Sequence, residues 1–364
     1  MASERDPEIR TFLNEAGWTG ARIEPLAGDA STRRYLRVRR GGDVAVLMDA
    51  PPKAETAPCP PGADPAQRRA LGYNATARLA ASRIEAFVGI AAWLHAHGFA
   101  APALHAVDFA RGYALLEDLG DNLFARAVPE GASEAELYGA AIDVQVALHR
   151  LPAPASVEGH GAAWPVLGYD RMALMAETDL FVEWWAGRHL GANLSDAALD
   201  GWRAAWAGAL DAATPDQPVL TLRDYHAENV LWRPDRDGLG RVGLIDFQDA
   251  LAGHPAYDLV SLLEDARRDV APDLAEAMIK RYLAASGADE ARFRSAYAAL
   301  GALRNAKIVG VFARLAIRDG KPRYLDLIPR VARHLIGDLR HETMAPVRAW
   351  LARWLPGQLD AAAA

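Results

Sequence analysis

The chain has 364 residues, of which 51% are hydrophobic and 24% charged, and both fractions are typical of a globular protein. Its net charge of −7 at pH 7 excludes the strongly basic character of many nucleic-acid-binding proteins. The single cysteine, Cys59, excludes an internal disulfide, and no apolar run reaches the roughly 18 residues of a membrane-spanning helix. The acidic residues 1–20 lack the pattern of a secretory signal. We therefore expect a soluble cytoplasmic protein with no nucleic-acid or membrane partner.

Short strands dominate the first third of the chain after a helix over residues 7–17. The predicted strands are two runs that begin at Ile23 and end at Val38, followed by residues 44–48, 104–109 and 113–116. A small polar turn from Gly28 to Arg34 separates the first two runs. We expect these strands to form a small antiparallel sheet.

A proline-rich segment and one long helix interrupt this series of strands. Residues 51–66 contain six prolines, which exclude a helix or a central strand there. The segment is either a substrate lid or a plain flexible insertion. Residues 76–98 carry an apolar stripe at helical spacing and end at Gly98, so they predict the main helix of this half.

The rest of the chain is helical in pattern. The predicted helices cover residues 134–150, 170–190, 196–213, 258–265, 272–285, 289–306 and 307–318. Composition changes near residue 118, so we expect an N-terminal lobe over residues 1–118 and a helical lobe over residues 119–364. The expected fold class is α+β with two lobes.

The stretch from Thr221 to Ala250 predicts a hairpin with chemically active ends. Two apolar runs, Val230–Trp232 and Val242–Ile245, flank a turn that contains Asp237-Gly238. Folding about that pair places residues whose numbers sum to about 475 opposite each other, so Asn229 would face Asp246.

These side chains suit phosphoryl transfer. Magnesium prefers hard oxygen ligands, so we predict Asn229 and Asp246 as its protein ligands, completed by ATP phosphates. Asp224, five residues before Asn229, is then left as the general base for an attacking hydroxyl. Asp258 either caps its own helix or braces this loop. The alternative for Asp224 is a solvated loop carboxylate.

Asp224-x4-Asn229 followed by Ile245-Asp246-Phe247 resembles the catalytic and metal-binding segments of protein-kinase-like folds, most closely the aminoglycoside phosphotransferase family. This resemblance implies a small antiparallel N-terminal sheet with one main helix, a mostly helical C-terminal lobe, and the cofactors ATP and Mg²⁺. The chain departs from the family pattern at Leu222-Arg223, where a histidine or glycine is usual before the base.

The resemblance also implies ATP-binding residues. The polar turn would cover the phosphates with Ser31 and Thr32, while Glu117 and Leu119 would lie at the hinge that binds adenine. Met48 stands where kinases place a strand lysine, so either Arg33 or Arg34 supplies that cation or nucleotide binding is weak. The alternative is an ordinary hairpin with solvated arginines.

The acceptor site is predicted on residues 170–190. A tryptophan beside carboxylates suits a sugar, so Glu177, Glu183 and Trp184 are the candidate substrate ligands. The alternative is that the aromatic side chains belong to the core.

The segment GDASTRRYLRV, followed by MDAPP, resembles the bacterial anomeric kinases of N-acetylmuramate and N-acetylglucosamine. This implies a kinase that forms a sugar 1-phosphate in cell-wall sugar recycling. We expect the protein to be a monomer. One of the C-terminal cations, Arg304 or Lys307 among them, would then pair with the carboxylate of N-acetylmuramate. The alternatives are a kinase for an aminoglycoside, a choline-like alcohol or another sugar, and a pseudokinase that only binds.

Overall fold

The computed structural model of the protein describes residues 5–26, 32–52 and 55–364. The strands are β1 (Arg22–Pro25), β2 (Arg34–Arg40), β3 (Asp43–Asp49), β4 (Leu104–Asp108), β5 (Tyr113–Glu117), β6 (Ser156–Gly159), β7 (Ala162–Pro165), β8 (Val219–Thr221), β9 (Val230–Trp232), β10 (Val242–Leu244) and β11 (Leu251–Gly253). The α-helices are α1 (Asp6–Glu15), α2 (Pro65–Leu71), α3 (Tyr73–Thr76), α4 (Ile84–Ala96), α5 (Phe124–Ala127), α6 (Glu134–His149), α7 (Arg171–Leu180), α8 (Asp196–Ala212), α9 (Ala256–Leu263), α10 (Pro272–Ser286), α11 (Glu290–Ile317), α12 (Ile328–Asp338), α13 (Ala345–Trp354) and α14 (Gln358–Ala363). A π-helical segment, Phe181–His189, continues α7.

The chain forms two compact units. The first comprises residues 1–127, 154–167 and 228–250, and the second comprises residues 128–153, 168–227 and 251–364. In the described parts of the chain, every helix is too short or too polar to cross a bilayer.

The first unit is built on an antiparallel sheet with the strand order β1-β2-β3-β5-β4. Ile9, Phe12 and Leu13 share one side of α1 and pack with buried sheet residues such as Val38 and Leu115. This apolar cluster stabilises the sheet because it removes large side chains from water. The small antiparallel sheet expected from the sequence is confirmed.

The main helix of this unit is shorter than predicted. Helix α4 begins at Ile84, whereas the apolar pattern predicted a start at residue 76. The short helix α3 ends at Thr76, and Arg78 and Ala81 then have φ values of 57° and 56°. A right-handed helix cannot continue through such positive φ values, so Leu79 lies in an irregular segment between α3 and α4.

The hairpin of β9 and β10 is present, but its register differs by one residue from the prediction. Val230 pairs with Leu244 and Trp232 pairs with Val242, so paired numbers sum to 474. Asn229 therefore faces Ile245, whose N–H donates to the Asn229 carbonyl at 3.2 Å. The turn contains a 3₁₀ segment, Gly238–Arg241, instead of a symmetric loop about Asp237-Gly238.

The second unit is mainly helical and is organised around α11, which packs against α7, the π-helical segment, α8, α9 and α12. The sequence predicted two helices over residues 289–318, but α11 runs without a break from Glu290 to Ile317 because no glycine or proline signal interrupts it at residues 306–307. Its N-terminus is capped by the Asp289 carboxylate, which accepts from the Arg292 N–H at 2.9 Å. The strands β8 and β11 pair in this unit, and β8 leads directly into the loop that carries Asp224.

Candidate functional site

The end of the hairpin in the first unit brings Asn229 and Asp246 together. The Asn229 Nδ2 atom lies 3.4 Å from an oxygen of Asp246, although the two residues are not register partners. Asp246 has a φ of 59°, which turns the chain out of the strand direction directly after β10. Non-glycine residues rarely adopt this conformation, and those that do are concentrated at functional sites. The carboxamide and the carboxylate thus lie side by side, and each carries an oxygen of the hard type that magnesium prefers.

The residues after Asp246 hold this segment in place. The Gln248 amide donates to Asp246 at 3.2 Å, and the Asp249 carboxylate accepts from the Ala80 N–H at 2.6 Å. The buried Phe247 ring stacks on Phe87 of α4, with ring centroids 4.8 Å apart. The Asp246 side chain itself is about one third exposed, at 37%. The segment therefore presents one accessible carboxylate on a fixed backbone.

The two candidate arginines of the turn have different surroundings. The Arg33 guanidinium lies 3.7 Å from the Asp246 carboxylate and is mostly buried. Burial by itself lowers the pKa of Arg33, but the charges of Tyr35, Asp246 and neighbouring carboxylates raise it overall. Arg34 instead donates to the fully buried Asp49 carboxylate at 2.9 Å.

Three of the remaining predicted nucleotide residues, Thr32, Glu117 and Leu119, lie in the first unit. Ser31 lies outside the described residues, and the Thr32 hydroxyl donates to Glu55 at 2.7 Å. The Glu117 carboxylate accepts from the Ala103 N–H at 3.1 Å, and the Leu119 side chain packs against Gly243 of β10. Met48 is completely buried in β3, at the position where kinases place the strand lysine.

In the second unit, Asp224 lies on a tightly held loop. The Leu222 and Arg223 N–H groups donate to the two oxygens of Asp258 at 2.8 and 2.9 Å. Asp258 is completely buried at the start of α9, so it braces this loop from behind. The Asp224 N–H donates to the Leu222 carbonyl at 2.9 Å, and its own carbonyl accepts from the His226 N–H at 3.2 Å.

The surroundings of the Asp224 carboxyl group shift its pKa. Burial by itself raises the pKa of Asp224, but interactions with Lys307, His226, Arg223 and Arg304 lower it overall. The group is therefore ionised at neutral pH, as proton acceptance requires.

Glu177, a predicted acceptor ligand, is completely buried among partners of its own unit. One oxygen accepts from the Arg223 guanidinium and from Lys307 Nζ, the latter at 3.3 Å. The other accepts from the hydroxyls of Tyr169 and Tyr257 at 2.6 and 3.4 Å. These contacts leave Glu177 facing side chains of the protein instead of solvent. No local sequence pattern indicates this arrangement, since Glu177 and Lys307 are 130 positions apart and form no motif.

The other two predicted acceptor ligands lie on the π-helical segment. Glu183 is exposed, and Trp184 is partly exposed with the Arg188 guanidinium 6.0 Å from its ring centre. The neighbouring Trp185 is buried against Phe181, with ring centroids 4.6 Å apart. The segment thus separates one core tryptophan from one that reaches the surface.

Comparison with known proteins agrees with this geometry. A model of the phosphotransferase enzyme family matches residues 22–295. The N-acetylmuramate/N-acetylglucosamine kinase of Caulobacter vibrioides is 49% identical over 357 residues, which are 98% of this chain and 98% of the relative. The kinase of the same name from Pseudomonas putida is 30% identical, over 89% of this chain and 86% of the relative.

A solved structure supports the fold. The ADP-bound aminoglycoside phosphotransferase APH(2'')-Ib superposes with a TM-score of 0.52 at 16% identity, covering 93% of this chain and 98% of that one. The α+β, protein-kinase-like fold and the family expected from the sequence are confirmed. The chain, with its Asp-x4-Asn loop and the Ile-Asp-Phe end of its hairpin, belongs to the phosphotransferase enzyme family.

Proposed function

We propose that the protein is an ATP-dependent kinase that phosphorylates the anomeric hydroxyl of an amino sugar, N-acetylmuramate or N-acetylglucosamine. The product would be the sugar 1-phosphate, formed during cell-wall sugar recycling. The observation that carries this proposal is the 49% identity to the Caulobacter vibrioides kinase over almost the whole chain. The proposed location is the cytoplasm, which fits a reaction that consumes ATP and a chain with a single cysteine. The proposed oligomeric state is a monomer.

In the proposed reaction, Asp224 accepts the proton of the sugar hydroxyl while the hydroxyl oxygen bonds to the γ-phosphorus of ATP. The bond between that phosphorus and the bridging oxygen breaks, and ADP leaves. The low pKa of Asp224 supports this role because the carboxylate is ionised before the sugar binds. General-base help of this kind is worth about 10²–10⁴-fold in rate.

The nucleotide end of the reaction is proposed for the first unit. Asn229 and Asp246 would hold magnesium, which neutralises charge on the ATP phosphates when it is bound. Arg33, next to Asp246, would supply the phosphate contact that Met48 cannot make. Thr32 and Ser31 would cover the phosphates. The hinge contacts of Glu117 and Leu119 with adenine remain predictions. The lobe boundary at residue 118 also remains a prediction.

For the acceptor, Glu183 and Trp184 remain the proposed direct contacts. Trp184 is partly exposed and can stack on a sugar ring, while the exposed Glu183 beside it can accept from sugar hydroxyls.

The test is a coupled ATP-consumption assay over amino sugars, other sugars, an aminoglycoside and choline. We expect turnover with N-acetylmuramate or N-acetylglucosamine, and phosphorus NMR of the product should show an acid-labile anomeric phosphate. Turnover only with another acceptor would overturn the substrate assignment. Intact nucleotide binding with no turnover on any acceptor would favour a pseudokinase.

The role of Asp224 is tested by Asp224→Ala. We expect kcat to fall by about 10²–10⁴-fold, because the variant cannot accept the hydroxyl proton. Nucleotide affinity, measured by calorimetric titration, should stay within about threefold, since the base does not bind ATP in this proposal. Near-normal kcat in this variant would remove Asp224 from the reaction.

A further inference from the structure

A buried charge cluster lies beside the base in the second unit. We define the clamp as Glu177, Arg223 and Lys307. The Glu177 carboxylate joins the other two members, because Arg223 and Lys307 both donate to its Oε1 atom. Lys307 Nζ also contacts the Tyr257 hydroxyl at 3.2 Å, and the Arg223 guanidinium lies 4.9 Å from the centre of the Tyr169 ring. The clamp therefore links α7, α11 and the loop before Asp224.

The backbone of Arg223 is unusual for a residue with a side chain. Its φ is 70°, a region that glycine adopts readily and other residues rarely do. The side chain is only 2% exposed and is held by Glu177. This ion pair and the N–H bond to Asp258 together hold a conformation that the residue would otherwise avoid. Arg223 thus fixes the peptide that directly precedes the base.

The clamp also sets the charge near Asp224. Arg223 and Lys307 bring two positive charges, and Glu177 offsets one of them. Arg304 is the other cation that acts on Asp224, and His226, whose pKa burial lowers, is a further titratable group near it. The clamp as a whole therefore leaves one net positive charge on the side of the base. A positive charge of this kind favours the ionised carboxylate.

Resting on the function proposed above, we propose that the clamp positions the base: Arg223, anchored by Glu177, fixes the backbone of Asp224, and Lys307, bonded to Glu177 and Tyr257, holds Glu177 in place. Arg223, Glu177 and Lys307 are positioning residues in this proposal and do not contact the substrate. Glu177 then serves the acceptor reaction through the two cations, since both of its oxygens are already bonded within the protein.

The first test separates side-chain anchoring from backbone conformation. Arg223→Gly keeps the permitted φ but removes the anchor, so the variant should fold. We expect kcat to fall by about 10²-fold, the loss typical of a misplaced catalytic group, with the KM for ATP within about twofold. Arg223→Lys should restore part of kcat because it returns a cation to Glu177.

The second test reads the charge on Asp224. Lys307→Met removes the ammonium without a large change in volume. We expect the acidic limb of the kcat profile to move upward by about 1–3 pH units, because loss of a nearby opposite charge raises a carboxyl pKa. Lys307→Arg should return the limb towards the wild-type position. Lys280→Met, on an exposed part of α10, is the matched control and should leave the profile unchanged.

The outcomes are distinguishable. A merely structural clamp would lower the thermal stability of the variants but leave the pH profile at its wild-type position. The kcat per folded enzyme molecule would also equal that of the wild type. This result would overturn the proposal. If wild-type protein turns over no acceptor, the proposed function fails first. Normal wild-type turnover with unshifted profiles in Lys307→Met would instead refute the clamp alone.

Discussion

At the scale of single residues, the structure separates positions that the sequence left equivalent. The sequence does not distinguish Arg33 from Arg34 as the replacement for the missing strand lysine. Two adjacent arginines give no indication of where each side chain points. Arg34 begins β2 and pairs with buried Asp49, whereas Arg33 precedes the strand and approaches Asp246. The acidic character of Glu177 predicts a substrate ligand. Its partners come from distant segments, and no local pattern predicts them.

This difference predicts separate phenotypes for the two arginines. Arg33→Met should weaken ATP binding about tenfold or more, since a charged phosphate contact is worth about 1.5–3 kcal/mol. Arg34→Met should leave ATP binding near normal but lower the free energy of unfolding by about 2 kcal/mol, because Asp49 loses one of its charged donors. Calorimetric titration and urea unfolding of both variants measure the two effects. Equal losses of ATP affinity would contradict the assignment of Arg33.

At the scale of elements, periodicity located most helices and strands, and the errors have physical causes. The hairpin register moved by one residue because the turn contains a 3₁₀ segment, which apolar spacing does not reveal. Asn229 and Asp246 still meet because Asp246 leaves the strand at positive φ. Helix α4 starts late for a similar reason, since Arg78 and Ala81 adopt conformations that are rarely expected for those residue types.

The packing of α11 predicts a strongly position-dependent effect of Gly→Ala substitution. A Cβ atom on Gly310 would lie 2.4 Å from the backbone of Leu180, where α7 passes into the π-helical segment. Gly310→Ala should therefore lower the free energy of unfolding by about 1–3 kcal/mol, the usual cost of overpacking. Urea unfolding measures this change.

Gly208→Ala is the matched control for that experiment. Gly208 is exposed on α8, and a Cβ atom there would meet no atom of the described chain within 4 Å. This substitution should be neutral or stabilise the protein by up to about 1 kcal/mol through helix propensity. If both variants lose the same stability, close backbone packing at Gly310 is not the cause.

At the scale of the whole molecule, composition and the order of strands and helices were sufficient to predict a two-lobed α+β fold, and the motif resemblance added the kinase type. They could not predict that three separate segments build the first unit, because contacts between distant segments leave no local signal. The same limit applies to the site, since Asp224 and the hairpin were found through a motif and the clamp was not.

Ligand binding should stabilise the whole molecule. Magnesium with ATP at about 100 times its dissociation constant should raise the free energy of unfolding by about 2.7 kcal/mol, because a ligand that binds the native state shifts the folding equilibrium. Thermal unfolding with and without a chelator measures the shift. Asp246→Asn should lose most of the magnesium-dependent part, and an unchanged shift in that variant would exclude Asp246 as a metal ligand.

The interleaving of the two units has a consequence for how the protein is made. The first unit needs residues 228–250, so a nascent chain that has reached residue 127 cannot yet complete it. At about 5–20 residues per second, the ribosome needs roughly 6–25 s to add the missing hairpin. During that interval the five-stranded sheet is complete but its unit lacks the β9–β10 hairpin, and this is the period when a chaperone would protect the unit. A shortened gene that stops before residue 250 should accordingly yield aggregated product instead of a nucleotide-binding fragment.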